Sequence, residues 1–376
     1  MPAVLLALMG LEIGGAETHV VVLARHLKEM GYKVVVASNG GRYEEEIARY
    51  GIRHYRVPLH RPDLPCIWRS VWLVRQIVAR ERIDLIHAHA RIPAFVATIM
   101  GRPAGVRLVT TAHFNFTNRG MLKYISRWGE KTIAVSQDLK EYLIESFRVK
   151  AENIVVIPNG IDAAVFRPDL PLADMAAELG GDEGKLIVAL VSRLDGALAQ
   201  VAVNLIEACG QVYKAFPDFK LVVAGDGDGL REVAERAKEL NAVAGDELVR
   251  LLGARTDINR IMAASDLVVG VSRVALEAMA CARNVLLAGP QGFGGLITRD
   301  RLDLFREDNF TGRRFKERTT VENLTRSLRD FLMLPEARRK EEGSRLRAFI
   351  VDEYSSLRMA EETVKVYQQV LAKEKE

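Results

Sequence analysis

The sequence holds three cysteines among 376 residues, Cys66, Cys209 and Cys281, and no two of them form a CxxC pair. That spacing argues against a disulfide framework and a cysteine-based zinc site, and it suits a reducing cytoplasm. No apolar run approaches the roughly 20 residues that a membrane-spanning helix needs. The apolar start, "MPAVLLALMGLEIGGAE", lacks a basic region, so it reads as a first buried strand and not as a signal peptide. There is no low-complexity segment and no short repeat. A GxGxxG turn is also missing, which disfavours a dehydrogenase built on the dinucleotide fingerprint. Histidine is confined to one region: all seven lie between His19 and His113.

What is present supports two cores. The length is large for one domain, and hydrophobic residues make up 49% of the chain against 27% charged. The net charge of +4 is uneven, because the first 165 residues carry 22 basic and 15 acidic side chains. A basic first half could meet an anionic acceptor or an anionic membrane surface, or be a solvated basic face. Short β-branched runs alternate with longer amphipathic stretches. Strands are expected at 3–9, 33–38, 85–89, 106–113, 132–136 and 154–160, and again at 185–193, 219–227, 249–253, 266–270 and 284–290, with a helix over 18–31 between the first two. The pattern predicts an α/β chain of two tandem Rossmann-like, doubly wound domains facing a cleft. Residues 1–165 form the first domain, 166–184 a linker, 185–350 the second domain and 351–376 a charged terminal helix. Ligands of such folds bind at the carboxyl ends of the strands.

Candidate residues cluster at those ends. In "SDLVVGVSRVALEAMACARNV" (265–285) an apolar run stops at Gly270 and a helix begins almost at once. Exposed N–H groups and the helix dipole there favour an anion, and Gly270 and Ser272 would let a pyrophosphate approach the backbone beside Arg273 and Val274. Glu277 could accept hydrogen bonds from ribose hydroxyls, or be an ordinary helix acid. Arg193 ends the strand in "VSRLDG", where a guanidinium can grip a diphosphate or simply face water. Asp226 and Asp228 form a DxD that could hold a metal, although a turn and helix cap suit it better. In the first half, Gly14 and Gly15 permit close backbone approach, and Glu17 could orient an acceptor hydroxyl or cap the helix. His113 ends the 106–113 strand and could bond a sugar hydroxyl or phosphate. His87 and His89 share a strand face, but with no third ligand evident no metal site is expected.

Taken together, GGAE (14–17), HAH (87–89), TAH (111–113), AVSQDLK (134–140), IPNGID (157–162), SRLD (192–195), GDG (225–227) and LEAMA (276–280) resemble the family-4 retaining glycosyltransferases, in order and across nearly the whole chain. The resemblance implies the GT-B architecture, a terminal helix returning to the first domain, and transfer from a nucleotide-diphosphate-sugar donor to a hydroxyl acceptor with retention and without a metal or other cofactor. It assigns Arg193 to the diphosphate, Glu277 to the ribose, His113 to the neighbourhood of the transferred sugar, and Gly14–Gly15 to the loop beside the diphosphate and acceptor. It also implies a glycan or lipid-linked acceptor from the cell envelope and no nucleic-acid partner.

Two positions depart from the family. The usual first glutamate is replaced by Val269, with a shortened loop, and the usual lysine after the arginine is Leu198. A charge-assisted contact is worth roughly 1.5–3 kcal/mol, so the lost lysine represents about one to two decades in rate. Arg273, or less directly Arg255, could supply the missing charge. The alternative function is a sugar-nucleotide-binding partner subunit with little or no transfer activity; an epimerase or hydrolase acting on the same donors is a further rival. A cytoplasmic location is expected, with peripheral contact on an anionic membrane suggested by the basic, aromatic stretches 65–83 and 118–131, the latter containing Lys123, Arg127, Trp128 and Lys131.

Overall fold

The computed structural model describes residues 2–12, 14–100, 105–117, 125–180 and 185–372. The chain forms two compact units, one comprising residues up to Gly160 with those from Ser356 onward, the other Ile161–Ser355.

Unit 1 is built on seven strands: β1 (Ala3–Ala7), β2 (Lys33–Ser38), β3 (Arg53–Arg56), β4 (Leu85–Ala88), β5 (Arg107–Ala112), β6 (Lys131–Ala134) and β7 (Ile154–Val156). They lie in the order β3-β2-β1-β4-β5-β6-β7, and every pairing is parallel. Successive side chains of a strand point to opposite faces, which explains why β1 is apolar throughout. Val4 and Leu6 join one core cluster while Ala3, Leu5 and Ala7 join another. The helix Ser356–Ala372 completes the first of these clusters with Met359, Ala360, Val366, Tyr367 and Val370. Three polar contacts stitch it down: His26 Nε2 to Ser356 Oγ at 2.9 Å, Gly160 N to Met359 Sδ at 3.1 Å, and Tyr367 Oη to His87 Nδ1 at 2.7 Å.

Unit 2 repeats the winding with β8 (Leu186–Val191), β9 (Phe219–Ala224), β10 (Val249–Gly253), β11 (Leu267–Gly270), β12 (Asn284–Gly289) and β13 (Gly292–Leu296). The order is β10-β9-β8-β11-β12-β13, parallel except for the last pair. Val188 and Leu190 of β8 enter one core, Ile187, Ala189 and Val191 the other. As far as it is described, the segment expected as a linker at 166–184 is packed on this unit: Met175 and Leu179 are in its core, and Phe166, Leu170 and Leu172 lie against it. The two chain passages out of unit 2 run side by side, joined by a bridge between Ile161 and Ser355 and by Ile161 N donating to Tyr354 O at 2.7 Å.

Strands β3 and β13 are the elements that periodicity did not reveal. β3 reads RHYR and is an edge strand with no buried residue, so no apolar alternation marks it. β13 reads GFGGL, with three glycines in a strand. A Cβ at Gly292 would lie 2.1 Å from Gly312 O, and one at Gly294 2.6 Å from the Phe305 ring, so close packing removed the usual strand residues.

Candidate functional site

In both sheets the strand order reverses beside the first strand, between β1 and β4 in unit 1 and between β8 and β11 in unit 2. The loops that leave such neighbouring strands diverge to opposite faces and open a crevice at their carboxyl ends. The sequence candidates fall at these two places.

In unit 2, β8 leads into Ser192 and Arg193, and β11 into Val271, Ser272 and the helix Arg273–Ala280. Leu190 is in register with Val269, so the two loops leave the same sheet edge. The side chain of Arg193 is 79% exposed, and its nearest acid, Asp195, lies 3.9 Å away, beyond hydrogen-bond range. Asp195 instead accepts from Asp228 N at 3.1 Å, and Gly229 N donates to Leu194 O at 2.7 Å, which laces the 192–196 loop to the 225–229 loop. Asp226 makes the expected turn by accepting from Gly227 N at 2.8 Å. Neither aspartate caps the next helix, however; Gly229 holds the N-cap position of Leu230–Ala244 without a side-chain bond.

The Arg273–Ala280 helix carries an unusual start. Ser272, its N-cap, has φ 52° and ψ −123°, a backbone region where a side chain is strained, and makes no capping bond with its hydroxyl. Its N–H donates to Phe310 O at 2.6 Å. Gly270 is required by packing: a Cβ there would sit 2.4 Å from Val274 Cγ1, so Val274, and not a ligand, lies over this glycine. Arg273 Nε donates to Glu277 Oε1 at 2.7 Å, one turn apart on the helix. Both side chains are largely buried. Burial pushes the Glu277 carboxyl up from its ordinary value, and the Arg273 charge pulls it part of the way back. Arg273 Nη1 is buried and has no hydrogen-bond partner among the described residues. Arg255, the weaker candidate for a spare charge, is engaged: it donates to Asp257 from Nε at 2.7 Å and Nη2 at 2.6 Å, and it is paired with Glu178.

The two departures also acquire structural meaning. Val269 is fully buried in β11 among Leu190, Leu286 and other core residues, so this position faces the interior of the sheet. Leu198 lies in the first turn of the helix Ala197–Tyr213, its N–H bonded to Asp195 O at 3.0 Å.

In unit 1, Gly14 is the N-cap of the helix Gly15–Glu29. The Glu17 carboxylate folds back over it, since a Cβ on Gly14 would be 2.3 Å from Glu17 Oε2. Among the described residues nothing lies within 4 Å of the corresponding position on Gly15, which is the open one of the pair. His113 follows β5 and is half-buried. It meets two rings that sequence reasoning had not joined to it. His89 Nδ1 is 3.2 Å from His113 Nε2, and the His19 ring packs edge-on to His113 with centroids 4.8 Å apart. One nitrogen from each of His19, His89 and His113 lies within 4.8 Å of the others. The expectation that no third ligand stands near His89 is therefore corrected. His87, by contrast, is satisfied at both nitrogens, by Tyr367 Oη and Thr111 Oγ1, each at 2.7 Å. Burial holds His87, His89 and His113 well below the ordinary imidazole range, so all three are neutral. The grouping was legible in principle, because HAH and TAH end the neighbouring strands β4 and β5, but only the sheet order reveals that they are neighbours. His19 had no sequence signal beyond its place in the first turns of a helix.

The comparisons with known proteins agree with this layout. The model for Glycosyltransferase Family 4 matches residues 13–165, and that for Glycosyl transferases group 1 matches residues 185–306. The phosphatidylinositol N-acetylglucosaminyltransferase GPI3 subunit of Saccharomyces cerevisiae is 25% identical over 238 residues, covering 57% of this chain and 50% of that protein. UDP-Gal:alpha-D-GlcNAc-diphosphoundecaprenol alpha-1,3-galactosyltransferase of Escherichia coli is 26% identical over 271 residues, 63% of this chain and 68% of that one. The chain spans about half the length of the yeast protein and of its counterpart in Arabidopsis thaliana. Among solved structures, a glycosyltransferase from Rickettsia africae ESF-5 superposes with a TM-score of 0.79 at 21% identity, over 99% of this chain and 100% of that one. Anabaena Alr3699/HepE in complex with UDP-glucose superposes with a TM-score of 0.74 at 21% identity, over 98% and 100%. At such identity the structural likeness is one of fold.

Proposed function

Because the chain belongs to the family-4 glycosyltransferases, we propose that it moves a sugar from a nucleotide-diphosphate-sugar donor to a hydroxyl acceptor, with retention of anomeric configuration and with no metal ion in the transfer step. The observation that carries this reading is the strand-end pair of unit 2, where an exposed Arg193 leaves β8 next to a helix whose first residue, Arg273, has a buried Nη1 with no partner among the described residues. An arginine in the first turn opposes the helix dipole, and an arginine four residues before a glutamate is the less favourable order for a helical ion pair. A bound diphosphate offsets both costs.

In this reading the diphosphate lies against the N–H groups of the helix start and against Arg193, with Arg273 replacing the charge that the family draws from lysine. Glu277 accepts from the ribose hydroxyls, and its pairing with Arg273 offsets part of the rise that burial imposes on its carboxyl. Unit 1 holds the acceptor through the open backbone at Gly15, the Glu17 carboxylate and His113. The acceptor oxygen bonds to the anomeric carbon on the face that the leaving group departs from. The bond from that carbon to the phosphate oxygen breaks, and the departing phosphate takes the acceptor's proton. The protein contributes positioning and charge stabilisation, and no side chain serves as base.

A panel of nucleotide sugars tests this, beginning with uridine nucleotides because Anabaena Alr3699/HepE holds UDP-glucose. The cognate donor raises the thermal midpoint by mass action and, with acceptor, releases nucleoside diphosphate at a rate unaffected by chelator. A panel in which no nucleotide sugar binds refutes the proposal. A second reading is favoured by Val269, since a strand residue with no exposed surface leaves the sugar hydroxyls without the family's first carboxylate. A non-transferring partner subunit would then bind donor and release no diphosphate with any acceptor.

The acceptor is proposed to be lipid-linked, and the helix Leu64–Glu81 to rest on an anionic leaflet. Asp63 caps that helix by accepting from Cys66 N at 3.1 Å, and its inner face buries Ile67, Val71, Val74 and Val78. Its outer face shows Leu64, Trp68 and Trp72 at successive turns, 72%, 66% and 59% exposed, beside Arg69 and Arg75. Tryptophan with arginine on one face matches a headgroup interface. The other stretch, 118–131, lies outside the described residues up to 124, and Trp128 packs inward against Phe116 and Phe147. Among the described residues no helix is long and apolar enough to cross a membrane. Cosedimentation with phosphatidylglycerol vesicles that survives Trp68→Ala/Trp72→Ala, or does not occur at low salt, removes this contact.

A further inference from the structure

We propose that unit 2 carries a second anion site, at the end of its sheet opposite Arg193, in which Arg283 and Arg339 bind the phosphate group of a small, free phosphate monoester. A pocket of about 260 Å³ lies where β8, β11 and β12 begin, and the first turns of the helix Glu336–Glu353 complete its wall. Arg193 and Ser272 follow the other ends of β8 and β11. The helix Arg273–Ala280 runs between the two sheet edges and ends three residues before Arg283.

The charges in the pocket do not balance. Lys185 is paired with Asp246 at 3.2 Å, and Lys340 with Glu336. Asp266 accepts from Ile187 N at 2.8 Å. Arg339 spends one nitrogen, Nη1, on Leu334 O at 2.9 Å and lies over the Phe331 ring, so no carboxylate answers its charge. Arg283 has less still. Its Nε is buried with no hydrogen-bond partner, and no side-chain nitrogen of it meets an acceptor or an acid among the described residues. Burial pulls this guanidinium below the ordinary arginine range, and Asp266 only partly opposes the pull. Arg347, on the same helix as Arg339, shows the usual outcome: its Nη1 donates to Phe166 O at 3.2 Å and to Ala280 O. Largely buried polar groups are normally satisfied in this way, so the bare fork of Arg283 points to a partner from outside the chain.

The position of Arg283 is fixed by backbone. Ala282 closes the preceding helix with φ 58°, its N–H bonded to Met279 O at 2.9 Å and that of Arg283 to Ala278 O at 3.0 Å. The helix Glu336–Glu353 rests directly on this turn, since a Cβ on Gly343 would lie 2.1 Å from Ala282 O. Asn284 Nδ2 donates to Arg339 O at 3.1 Å and ties the two arginine-bearing segments together. Guanidinium forks suit oxyanions, and a phosphate group has enough oxygens to accept from two forks at once. The volume admits a phosphate with a body of a few carbon atoms and is below the usual range for larger ligands.

The site shares no residue with the proposed transfer step and stands whether or not the chain transfers a sugar. The test uses the full chain carrying Arg193→Ala, so that the proposed donor site does not add to phosphate uptake. Calorimetric titration with inorganic phosphate and with glycerol 3-phosphate is expected to give one site per chain. Each should raise the thermal midpoint, whereas chloride at equal ionic strength does not. Adding Arg283→Gln should weaken both by tenfold or more, and adding Arg339→Gln instead by threefold or more. Arg283 has no protein partner to lose, so its replacement should leave the phosphate-free midpoint no lower, which separates lost binding from lost folding. Absence of saturable uptake, uptake unchanged by Arg283→Gln, an equal response to chloride, or a lower phosphate-free midpoint in that variant overturns the inference. Binding of phosphatidic acid vesicles through Arg283 without binding of either soluble probe overturns it too, because the ligand would then be a lipid headgroup.

Discussion

The two units wind their sheets in the same order and furnish the reversal point with opposite chemistry. Unit 1 gathers imidazoles, of which burial keeps His89 and His113 uncharged. Unit 2 gathers charge, with Arg193 in solvent and Arg273 paired to Glu277 below the surface. The fold fixes where a ligand can sit, and the loops decide whether that place suits a neutral hydroxyl or a diphosphate. The difference also has a stability side. Neutral rings are cheap to bury and need only hydrogen bonds, whereas a buried ion pair depends on both partners remaining.

Breaking that pair gives the largest expected effect. Glu277→Ala leaves the Arg273 guanidinium buried and uncompensated, a loss of about 3–5 kcal/mol. Arg273→Met/Glu277→Leu, which removes both charges, should recover most of it. The three tryptophans, Trp68, Trp72 and Trp128, all lie in unit 1. Denaturant unfolding followed by far-ultraviolet dichroism should therefore show an early transition that tryptophan fluorescence does not. Coincident shifts by both probes, or a double variant as unstable as the single one, would contradict the assignment.

Arg193→Ala comes next and separates charge for binding from charge for folding. The side chain is exposed and its nearest acid is 3.9 Å away, so the thermal midpoint should not move. Loss of a charge-assisted contact of roughly 1.5–3 kcal/mol should lower kcat/KM by about one to two decades. On the other side, His113→Asn should reduce kcat by up to about tenfold while nucleoside diphosphate affinity stays constant, since a neutral hydrogen bond is worth about 0.5–1.5 kcal/mol. If the nucleotide affinity fell instead, the division of labour between the units would be wrong.

A pair of buried glutamates extends the comparison to pH. Glu81 of unit 1 accepts from Tyr55 and Lys33 and is paired with Arg53, which holds its carboxyl down at about 2. A depressed acid stabilises the fold above its unfolded value, and that contribution is lost as pH falls from about 4.3 toward 2. Glu277 has the opposite sign. Burial raises it, so its ionisation counts against folding above the unfolded value, and acidification relieves that cost. On lowering the pH through the carboxylate range, the fluorescence-detected unit should weaken first, and Glu81→Gln should flatten that acid limb. An acid limb unchanged by Glu81→Gln would sink the argument.

Much of this was legible in the sequence because buried parallel strands must be apolar on both faces. The runs that became β1, β2, β8 and β12 are short and bounded by polar or glycine residues, and their positions were clear to within one or two residues. Arg193 and the Arg273–Ala280 helix start were visible for the same reason, as the residues that follow such strands. Three things were hidden. The RHYR edge strand has no apolar signature, the histidine group depends on which strands are neighbours, and the roles of Gly14 and Gly270 depend on side chains, Glu17 and Val274, that fold over them. All three are tertiary facts that local pattern does not encode.

The smallest expected effect concerns two helix starts within unit 2. Gly196, after β8, has φ 47° and ψ −119°, and Ser272, after β11, has φ 52° and ψ −123°. The same strand-to-helix turn is thus made once with glycine and once with serine, and the serine hydroxyl makes no capping bond that would explain its strain. Ser272→Gly should relieve that strain, which is worth about 1–3 kcal/mol, less the roughly 0.5–1 kcal/mol that glycine's unfolded freedom costs. The net gain is about 1 kcal/mol, and Gly196→Ser should cost about as much. If the hydroxyl of Ser272 is held in place to meet a phosphate, donor affinity should fall in the same variant whose thermal midpoint rises. A variant that gains stability and loses no affinity would reduce Ser272 to a residue tolerated by the turn, and would leave Arg193 and Arg273 to hold the anion by themselves.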